Sequence, residues 1–453
     1  MPLCRQGCGV EGSAQRSIDT IMAEDRVVIT GRGIVCSLGS KPSEVWEALL
    51  SRRTGIKPIE GFDPRGFGCN CAAQVKNLNP LDLGIHPRDS RIMNTHSYLL
   101  MKGARDAFLE SGLGGTSIPR EEIGFFAALG MVDYEVGDLL PALSKSQRAE
   151  GGPEYPTFYS QGYREIYPLW PLSMLNNISF CQVATSLDIQ GENTVLSPHA
   201  DSAAMAVAEG MKCLVDRRAQ VVLCAGVSEK VNPFSLARAH LCGILNTTDP
   251  QDGQLCKPFD QERRGTILGE GCGAIALELE SSARKRGIPY FAAMTGYGSR
   301  CETVGGCSGP TPKAFSLAMR DGLEHAGLKP SEIDLVIAHG DGTVIGDRHE
   351  AEAIHDVFSS CLDRIMVYSS KGAIGHLQAG GPLVDVILGL SMVRSGLVPP
   401  IPSTSSPEST LRFRLVHGEP VKKALKRILI TCQSYEGQAA SLILEAIDRC
   451  EGR

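Results

Sequence analysis

The fold is decided by the stretch Asn193-Thr-Val-Leu-Ser-Pro-His-Ala-Asp-Ser-Ala-Ala-Met-Ala-Val-Ala-Glu209. Its apolar start predicts a short strand, the turn residues Ser197 and Pro198 end that strand, and an alanine-rich segment of helical type follows. A second unit of this kind, Ser369-Ser-Lys-Gly-Ala-Ile-Gly-His-Leu-Gln-Ala-Gly-Gly381, leads into another apolar helix. Two such units predict a duplicated fold in which both turns, and the positive ends of both helices, meet at a shared centre.

Along the rest of the chain, apolar runs of β type alternate with helical patterns, which predicts an α/β protein with buried, parallel or mixed strands. The candidate strands are 27–30, 123–128, 194–197, 221–225, 273–279, 335–338, 366–369 and 427–431. The candidate helices are 43–51, 97–111, 201–215, 312–326, 348–357 and 382–395. No linker long enough to separate independent domains interrupts the pattern, so the two halves are expected to pack together.

Composition excludes several classes of function. The chain has 453 residues, 42% of them apolar, and a net charge of −6, with no run of Lys or Arg that would indicate a nucleic-acid partner. The 16 cysteines are scattered, which predicts free thiols in a reducing compartment and no metal centre. No apolar run is long enough to span a membrane, and the first 22 residues lack the apolar core of a signal peptide. We therefore expect a cytoplasmic protein.

The N-terminal stretch is rich in Gly, Ser, Arg and Gln. Residues 1–25 are predicted to be a disordered extension, and Met22 is an alternative start of the protein. Further on, Gly31, Gly33 and Gly39 resemble the beginning of a dinucleotide-binding loop, but the third glycine of that fingerprint is misplaced. The sequence therefore predicts no nucleotide and no other cofactor.

Four segments resemble motifs of the β-ketoacyl synthases, enzymes of the thiolase fold. They are the opening strand and turn 26–39, the Pro-Phe-Asp and Gly-Glu-Gly signature 257–273, the histidine loop 338–352 and the lysine-histidine loop 371–376. The resemblance extends from Arg26 to Glu445. It implies a thiolase-like, duplicated α-β-α-β-α layered fold with mixed sheets. The implied halves are 26–285 and 286–450, packed as one unit, and Asp260, Arg263 and Glu270 are expected mainly to stabilise the fold.

The same resemblance places Ala200 where these enzymes carry their cysteine nucleophile. A methyl group cannot attack a thioester, so covalent acyl transfer is not expected. In the family, two histidines hydrogen-bond the thioester carbonyl of the malonyl substrate and a lysine orders the network around them. Their counterparts are His339, His376 and Lys371, and the chemistry requires neutral imidazoles that donate to a developing oxyanion.

Three carboxylates depart from the family pattern. Asp201 follows Ala200, where it is either a helix N-cap or an anion unfavourable to the reaction. Asp341 stands where threonine is usual. The family's Gly-Phe-Gly-Gly-Thr loop is replaced by Ser434-Tyr-Glu-Gly-Gln438, which puts Tyr435 at the position of a gating phenylalanine and adds Glu436.

A preserved scaffold without a nucleophile most resembles the chain-length factor, the non-condensing subunit that pairs with a catalytic ketosynthase. The implied partners are a catalytic ketosynthase subunit, in a heterodimer, and an acyl carrier protein. Met131 and Tyr134 fall in the region that reaches the partner's acyl tunnel, where they either limit chain length or only pack the interface. Two alternatives remain open: a malonyl-thioester decarboxylase that uses the retained histidines, and an orphan scaffold that forms a homodimer.

Overall fold

The computed structural model describes residues 25–130, 133, 136–197, 199–248, 255–302 and 309–447. Residues 1–24 of the expected N-terminal extension, and the candidate tunnel residues Met131 and Tyr134, lie outside the described residues.

Eleven strands form the main sheet. They are β1 (Val27–Cys36), β2 (Ile123–Leu129), β3 (Asn193–Leu196), β4 (Val221–Glu229), β5 (Glu270–Leu279), β6 (Ala292–Cys301), β7 (Leu335–Ile337), β8 (Met366–Tyr368), β9 (Arg414–Leu415), β10 (Arg427–Gln433) and β11 (Gln438–Ala446). Two short antiparallel pairs lie outside this sheet, Lys57–Pro58 with Cys71–Ala72 and Leu397–Val398 with Val421–Lys422.

The described residues form thirteen α-helices. They are α1 (Pro42–Leu50), α2 (Thr95–Glu110), α3 (Val136–Lys145), α4 (Tyr155–Ser160), α5 (Trp170–Ser173), α6 (Asn176–Ser186), α7 (Asp201–Val215), α8 (Pro233–Leu241), α9 (Glu280–Arg286), α10 (Pro312–His325), α11 (Val344–Val357), α12 (Lys371–Ile374) and α13 (Gly381–Ser395).

The strand order, β9-β8-β7-β10-β11-β6-β1-β5-β4-β2-β3, shows an internal duplication. When the five strands of the N-terminal half are numbered along the chain, their order from the centre of the sheet to its edge is first, fifth, fourth, second and third. The C-terminal half repeats that order from β6 to β8 and adds the short edge strand β9. The halves join where Val27 and Val28 of β1 pair with Met294 and Ala293 of β6. Parallel and antiparallel neighbours occur in both halves, so the sheet is mixed.

Helices α7 and α13 form the central layer, because each contacts strands of both halves. Helix α2 covers the outer face of β1, β4 and β5, and α10 covers β6 and β11. The layers are thus α-β-α-β-α, and the thiolase-like duplicated fold expected from the sequence is confirmed. The sequence of α13 suits a central position, since its residues are buried almost all round the helix from Gly381 to Met392.

Gly31 and Gly33 pack a helix against a strand. A Cβ on Gly31 would lie 2.1 Å from the carbonyl oxygen of Ala107, and one on Gly33 would lie 2.0 Å from that of Gly103. Both glycines lie within β1, not in a loop before a helix. They allow α2 to approach the sheet closely.

The eight strands and six helices expected from the sequence are present, with shifted ends. Two long strands, β6 and β11, were not predicted, because their mixtures of small and polar residues show weak apolar periodicity. Each described cysteine carries a free thiol, as the composition predicts. No helix in the described ranges has the length and apolar character needed to cross a membrane.

Candidate active site

Ala200 lies directly between β3 and α7. It is the N-cap residue of α7, with helical φ and ψ of −61° and −37°, and its side chain is buried at 2% exposure. Asp201 is the first helical residue, so the expectation that Asp201 caps the helix is wrong. Burial raises the pKa of Asp201, and nearby Glu436 adds to this, while His199 and a backbone hydrogen bond oppose it. The position that would carry a nucleophile holds only a methyl group.

Hydrogen bonds to the backbone fix His339 in the loop after β7. Its N–H donates to Glu350 Oε1 at 2.8 Å and to Thr431 Oγ1 at 3.1 Å, and the N–H of Gly340 donates to Glu350 Oε2 at 2.8 Å. Glu350 belongs to α11 and is fully buried. Gly340 has a φ of +40°, and a Cβ there would lie 2.8 Å from the ring of Phe259. The turn therefore requires glycine at position 340, and Glu350 fixes the backbone position of His339.

His376 follows α12, and its ring lies perpendicular to that of His339, with ring centroids 4.9 Å apart. Both side chains are buried, at 2% and 1% exposure. The N–H of Gln378 donates to Nδ1 of His376 at 3.2 Å, and the N–H of Gln433 donates to Nδ1 of His339 at 3.4 Å. An imidazole that accepts at Nδ1 carries its proton on Nε2. Both histidines are therefore set as neutral Nε2–H donors.

The pKa of His376 supports this state. Burial lowers it well below 6.5, and the positive charge of Lys371 lowers it further, against the opposing charge of Asp341. The ring is therefore uncharged at neutral pH. Neutral Nε2–H donors in a dry site are the arrangement that an oxyanion requires.

Asp341 occupies the space in front of one of these donors. Its Oδ2 lies 3.6 Å from Nε2 of His339 and accepts a hydrogen bond from the Tyr435 hydroxyl at 3.2 Å. Its Oδ1 accepts from the N–H and hydroxyl of Thr343 at 2.9 and 2.7 Å. Burial alone would raise the pKa of this fully buried carboxyl, but His339, His376 and the Thr343 N–H outweigh burial and lower it. A permanent anion thus faces the donor that a substrate oxyanion would need.

The same three residues, His339, Asp341 and His376, are a possible metal cluster, because their ligand atoms lie within 4.8 Å of one another. The hydrogen bonds to both Nδ1 atoms argue against such a site. A metal ligand must present a lone pair, whereas each Nε2 here carries the proton. The donor set fits an anion better than a cation.

Lys371 lies in α12, buried at 3% exposure. Its Nζ donates to Asp385 Oδ2 at 3.0 Å, and the Ser370 hydroxyl donates to Asp385 Oδ1 at 2.6 Å. Asp385 is the fifth residue of α13, so the lysine ties the histidine loop to the central layer. It influences His376 through its charge.

Tyr435 and Glu436 close the site from the loop between β10 and β11. The Tyr435 ring lies 5.7 Å from that of His376. Burial raises the pKa of the Tyr435 phenol, and the Asp341 carboxylate reinforces this, so it remains a hydrogen-bond donor. Glu436 Oε2 lies 2.7 Å from Nε2 of His199, the residue before Ala200. His199 was not predicted as a site residue, although a histidine directly before the nucleophile position is a recognisable signal in a chain that also gains an acidic residue in the loop at 434–438.

The Glu436 carboxylate was expected to be an unfavourable charge, and its environment differs from that expectation. The hydrogen bond from His199 lowers the pKa of Glu436 despite its partial burial. Both carboxylates thus have a close partner: His199 contacts Glu436, and the Tyr435 hydroxyl donates to Asp341.

A neighbouring cysteine does not replace the missing nucleophile. Cys432 lies in β10, is buried at 2% exposure, and donates to the carbonyl of Ala440 at 3.7 Å. Burial raises the pKa of its thiol well above the ordinary value, and the negative charge of Asp201 adds to that. A thiol of this kind is inert as a nucleophile.

The Pro-Phe-Asp signature stabilises the loops behind the site. Asp260 Oδ2 accepts from the N–H groups of Ser405 and Ser406, each at 2.8 Å. Arg263 donates to the carbonyl of Asp260 at 2.9 Å and pairs with Glu408 at 2.6 Å. These bonds fit the fold-stabilising role expected from the sequence.

Comparisons with known proteins identify the family. Residues 24–283 match the family described as "Beta-ketoacyl synthase, N-terminal domain", and residues 291–405 match "Beta-ketoacyl synthase, C-terminal domain". A 3-oxoacyl-[acyl-carrier-protein] synthase 2 of Coxiella burnetii is 25% identical over 430 residues, which cover 94% of this chain and 100% of the relative.

Two solved structures share the fold. One is the ishigamide ketosynthase/chain length factor, with a TM-score of 0.81, 25% identity, and coverage of 94% of this chain and 100% of that one. The other is a type II acyl-carrier protein in complex with its ketosynthase bound to a hexaketide, with a TM-score of 0.79, 20% identity, and coverage of 93% and 100%. On the family match over both halves, the chain belongs to the β-ketoacyl synthase family.

Proposed function

We propose that this chain is a non-condensing subunit of the chain-length-factor type, which pairs with a catalytic β-ketoacyl synthase and bounds the chain that grows on an acyl carrier protein. The observation that carries the proposal is Ala200, buried at the N-cap of α7 inside an otherwise complete ketosynthase scaffold. Without a nucleophile the chain cannot hold an acyl group covalently. Its contribution to elongation then has to be made through a partner.

The carboxylate of Asp341 also argues against condensation. It lies 3.6 Å from the Nε2 atom of His339, where an enolate oxygen would have to accept that proton. Two negative oxygens cannot share one buried donor at low cost. The Asp341 carboxylate therefore repels an oxyanion that approaches His339.

An exposed sheet edge supports a protein partner. Strand β3 is the last strand of the sheet, and Asn193 and Thr194 on it are exposed. Unpaired strand edges are ready templates for another chain, and proteins usually cover them. Since β3 leads directly to Ala200, a partner on this edge would lie close to the site.

The lobe formed by α3 to α6 carries many exposed apolar side chains. The tyrosines Tyr155, Tyr159, Tyr163 and Tyr167 are 50–70% exposed, and Leu140 and Leu175 are about half exposed, at 52% and 48%. Exposed tyrosine and leucine in one region are typical of protein interfaces. Helix α6 connects this lobe to β3, where the side chain of Asn176 donates to Ser197 Oγ at 3.3 Å. Edge and lobe together would offer one surface to the partner ketosynthase.

The comparisons support the same role. The ishigamide ketosynthase/chain length factor resembles the chain over nearly its whole length, and the relative from Coxiella burnetii is named as a 3-oxoacyl-[acyl-carrier-protein] synthase. Another fold neighbour is a ketosynthase bound to its acyl-carrier protein. An acyl-carrier-linked substrate is accordingly part of the proposal.

Native mass spectrometry of the chain co-expressed with a catalytic ketosynthase from the same organism tests the proposal. We expect a 1:1 heterodimer, weakened by Tyr159→Arg in the lobe and unaffected by Leu81→Arg, a control at a residue that is also exposed, at 67%. A stable homodimer that ignores the ketosynthase would contradict the heterodimer and favour the orphan scaffold.

A second candidate function, decarboxylation of a malonyl thioester, is favoured by one observation: both histidines are set as neutral Nε2–H donors. Such donors stabilise the enolate left when CO2 departs. The chain incubated with malonyl-carrier protein should then release CO2, and His339→Ala should abolish the release. A rate equal to that of the His339→Ala variant would dispose of this function.

A further inference from the structure

The contact between His199 and Glu436 joins the two halves of the chain beside Ala200. The Nε2 to Oε2 distance is 2.7 Å, and the side chains are 24% and 52% exposed. A carboxylate that holds one nitrogen of an imidazole fixes the ring and raises its basicity, and the other nitrogen can then take a proton. His199 and Glu436, the His199 dyad, have the parts of a general base with access to water.

The His199 dyad lies beside the oxyanion donors. Glu436 directly follows Tyr435, whose ring lies 5.7 Å from that of His376. His199 directly precedes Ala200 at the start of α7. The first turn of α7 lies against the segment after His376, since a Cβ on Gly226 would meet both Ala203 and Ala379. The dyad therefore lies near the His376 ring, close enough for His199 to act on that ring electrostatically.

The Nε2–H of His376 is the donor left for a substrate. Within the described part of the chain neither His339 Nε2 nor His376 Nε2 has a hydrogen-bond partner, but the Asp341 carboxylate lies 3.6 Å from the former and would repel an oxyanion there. A thioester carbonyl oxygen can thus accept from His376 without displacing the internal anion.

We propose that the His199 dyad activates water for the hydrolysis of an acyl thioester carried on pantetheine, which would make the chain a thioesterase at the Ala200 site. This activity goes beyond the partner-subunit role and does not depend on it. Because Ala200 cannot form an acyl-enzyme, water is the nucleophile that the site can use.

Hydrolysis consumes one water molecule and returns His199 to its starting state. The water oxygen bonds to the carbonyl carbon while one water proton passes to Nδ1 of His199, and the carbonyl oxygen becomes an oxyanion that accepts from His376 Nε2–H. Collapse of this intermediate re-forms the carbonyl and breaks the C–S bond. The departing thiolate takes the proton from His199, so the products are a carboxylic acid and the pantetheine thiol.

The test uses the full chain with hexanoyl-pantetheine and follows release of the free thiol. We expect steady release, reduced about 100-fold by His199→Ala and about 10-fold or more by Glu436→Gln, in line with the usual contribution of a general base. Glu436→Gln keeps the size of the side chain at an exposed position and so reports on the dyad if His199→Ala were to fold poorly. The control is His417→Ala, at an exposed histidine far along the chain.

Thiol release no faster than that of folded His199→Ala would overturn the proposal, as would unchanged rates in both dyad variants. Native mass spectrometry of the same variants with the ketosynthase separates this result from the subunit role. A heterodimer that persists in Glu436→Gln while hydrolysis falls supports both proposals, and loss of hydrolysis alone does not bear on the heterodimer.

Discussion

Asp341 Oδ2 lies 3.6 Å from Nε2 of His339, so an internal carboxylate faces the proton that the family's chemistry offers to a substrate. The Tyr435 hydroxyl, 3.2 Å from the same oxygen, adds a second donor. The Asp341 carboxylate thus lies next to the groups that would otherwise stabilise a substrate oxyanion. A preserved pair of histidines is therefore compatible with a chain that does not condense.

Replacement of Asp341 by threonine, the usual family residue, should free this donor. We expect Asp341→Thr to raise the rate of CO2 release from malonyl-carrier protein about 10-fold or more, since one oxyanion donor is worth that much or more. The double variant with His339→Ala should return to background. An unchanged rate in a folded Asp341→Thr protein would mean that the carboxylate does not limit the reaction.

Restoring the nucleophile alone should not restore condensation. In Ala200→Cys the thiol would lie near the carboxylates of Asp201 and Glu436, and negative neighbours raise a thiol pKa and reduce the thiolate fraction. We expect slow alkylation by iodoacetamide at pH 7 and no condensed product from acyl- and malonyl-carrier protein. Adding Glu436→Gly and Asp341→Thr should increase the rate of alkylation and the amount of condensed product. Efficient condensation by Ala200→Cys alone would show that the neighbouring carboxylates do not limit the reactivity of the thiol.

The buried Glu350 carboxylate should be a large contributor to stability. It accepts from the backbone N–H groups of His339 and Gly340 and from the Thr431 hydroxyl. Each buried donor left unsatisfied costs roughly 1–3 kcal/mol, so Glu350→Ala should lower the free energy of unfolding by about 3 kcal/mol. Chemical denaturation measures this, and Glu352→Ala, at an exposed residue of the same helix, is the matched control. Equal losses in the two variants would contradict the role of Glu350.

How far the sequence predicts the molecule depends on the kind of information that each feature needs. The duplicated strand-turn-helix units around Ala200 and His376 are visible because apolar periodicity and turn residues are local signals. The positions of His339 and Lys371 follow from spacing within motifs. These features could be predicted before any coordinates.

Contacts between distant segments could not be predicted. The pairing of His199 with Glu436 joins residues from opposite halves of the chain, and the approach of Tyr435 to Asp341 depends on how two loops fold over each other. The sequence shows that Asp341 and Glu436 are acidic, but not that each accepts a hydrogen bond from a residue far away in the chain or in another loop. Strands β6 and β11 were missed for a related reason, because their pairing with each other over nine registered positions, and not their own apolar pattern, defines them.

Met131 and Tyr134 remain a prediction about chain length. If their side chains form the end of the acyl tunnel, replacing both by alanine should lengthen the products made together with the partner ketosynthase. Product lengths are read by mass spectrometry of the released chains. Lengths that stay the same, with a heterodimer still present, would leave these residues a packing role only.

The buried imidazole of His96 makes stability depend on pH. It lies in α2 at 0% exposure, and within the described residues neither of its ring nitrogens has a hydrogen-bond partner. Burial lowers its pKa from 6.5 to about 3, and the charge of Lys230 adds to this while Asp133 opposes it. Between these two values the unfolded chain takes up a proton that the folded chain does not. The free energy of unfolding should therefore fall by about 1.4 kcal/mol for each pH unit below 6.5, and show no contribution from this group above it.

Urea denaturation at pH 7.5, 6.0 and 5.0 measures this slope. In His96→Leu the slope should be smaller by that amount, and the protein should be at least as stable as the parent at pH 5, because an unpartnered buried polar ring is replaced by an apolar side chain. His417→Gln, at an exposed histidine, should keep the parent slope. If His96→Leu kept the full slope, the proton uptake would have to come from another buried group, of which His376 is the first to test, since burial also lowers its pKa.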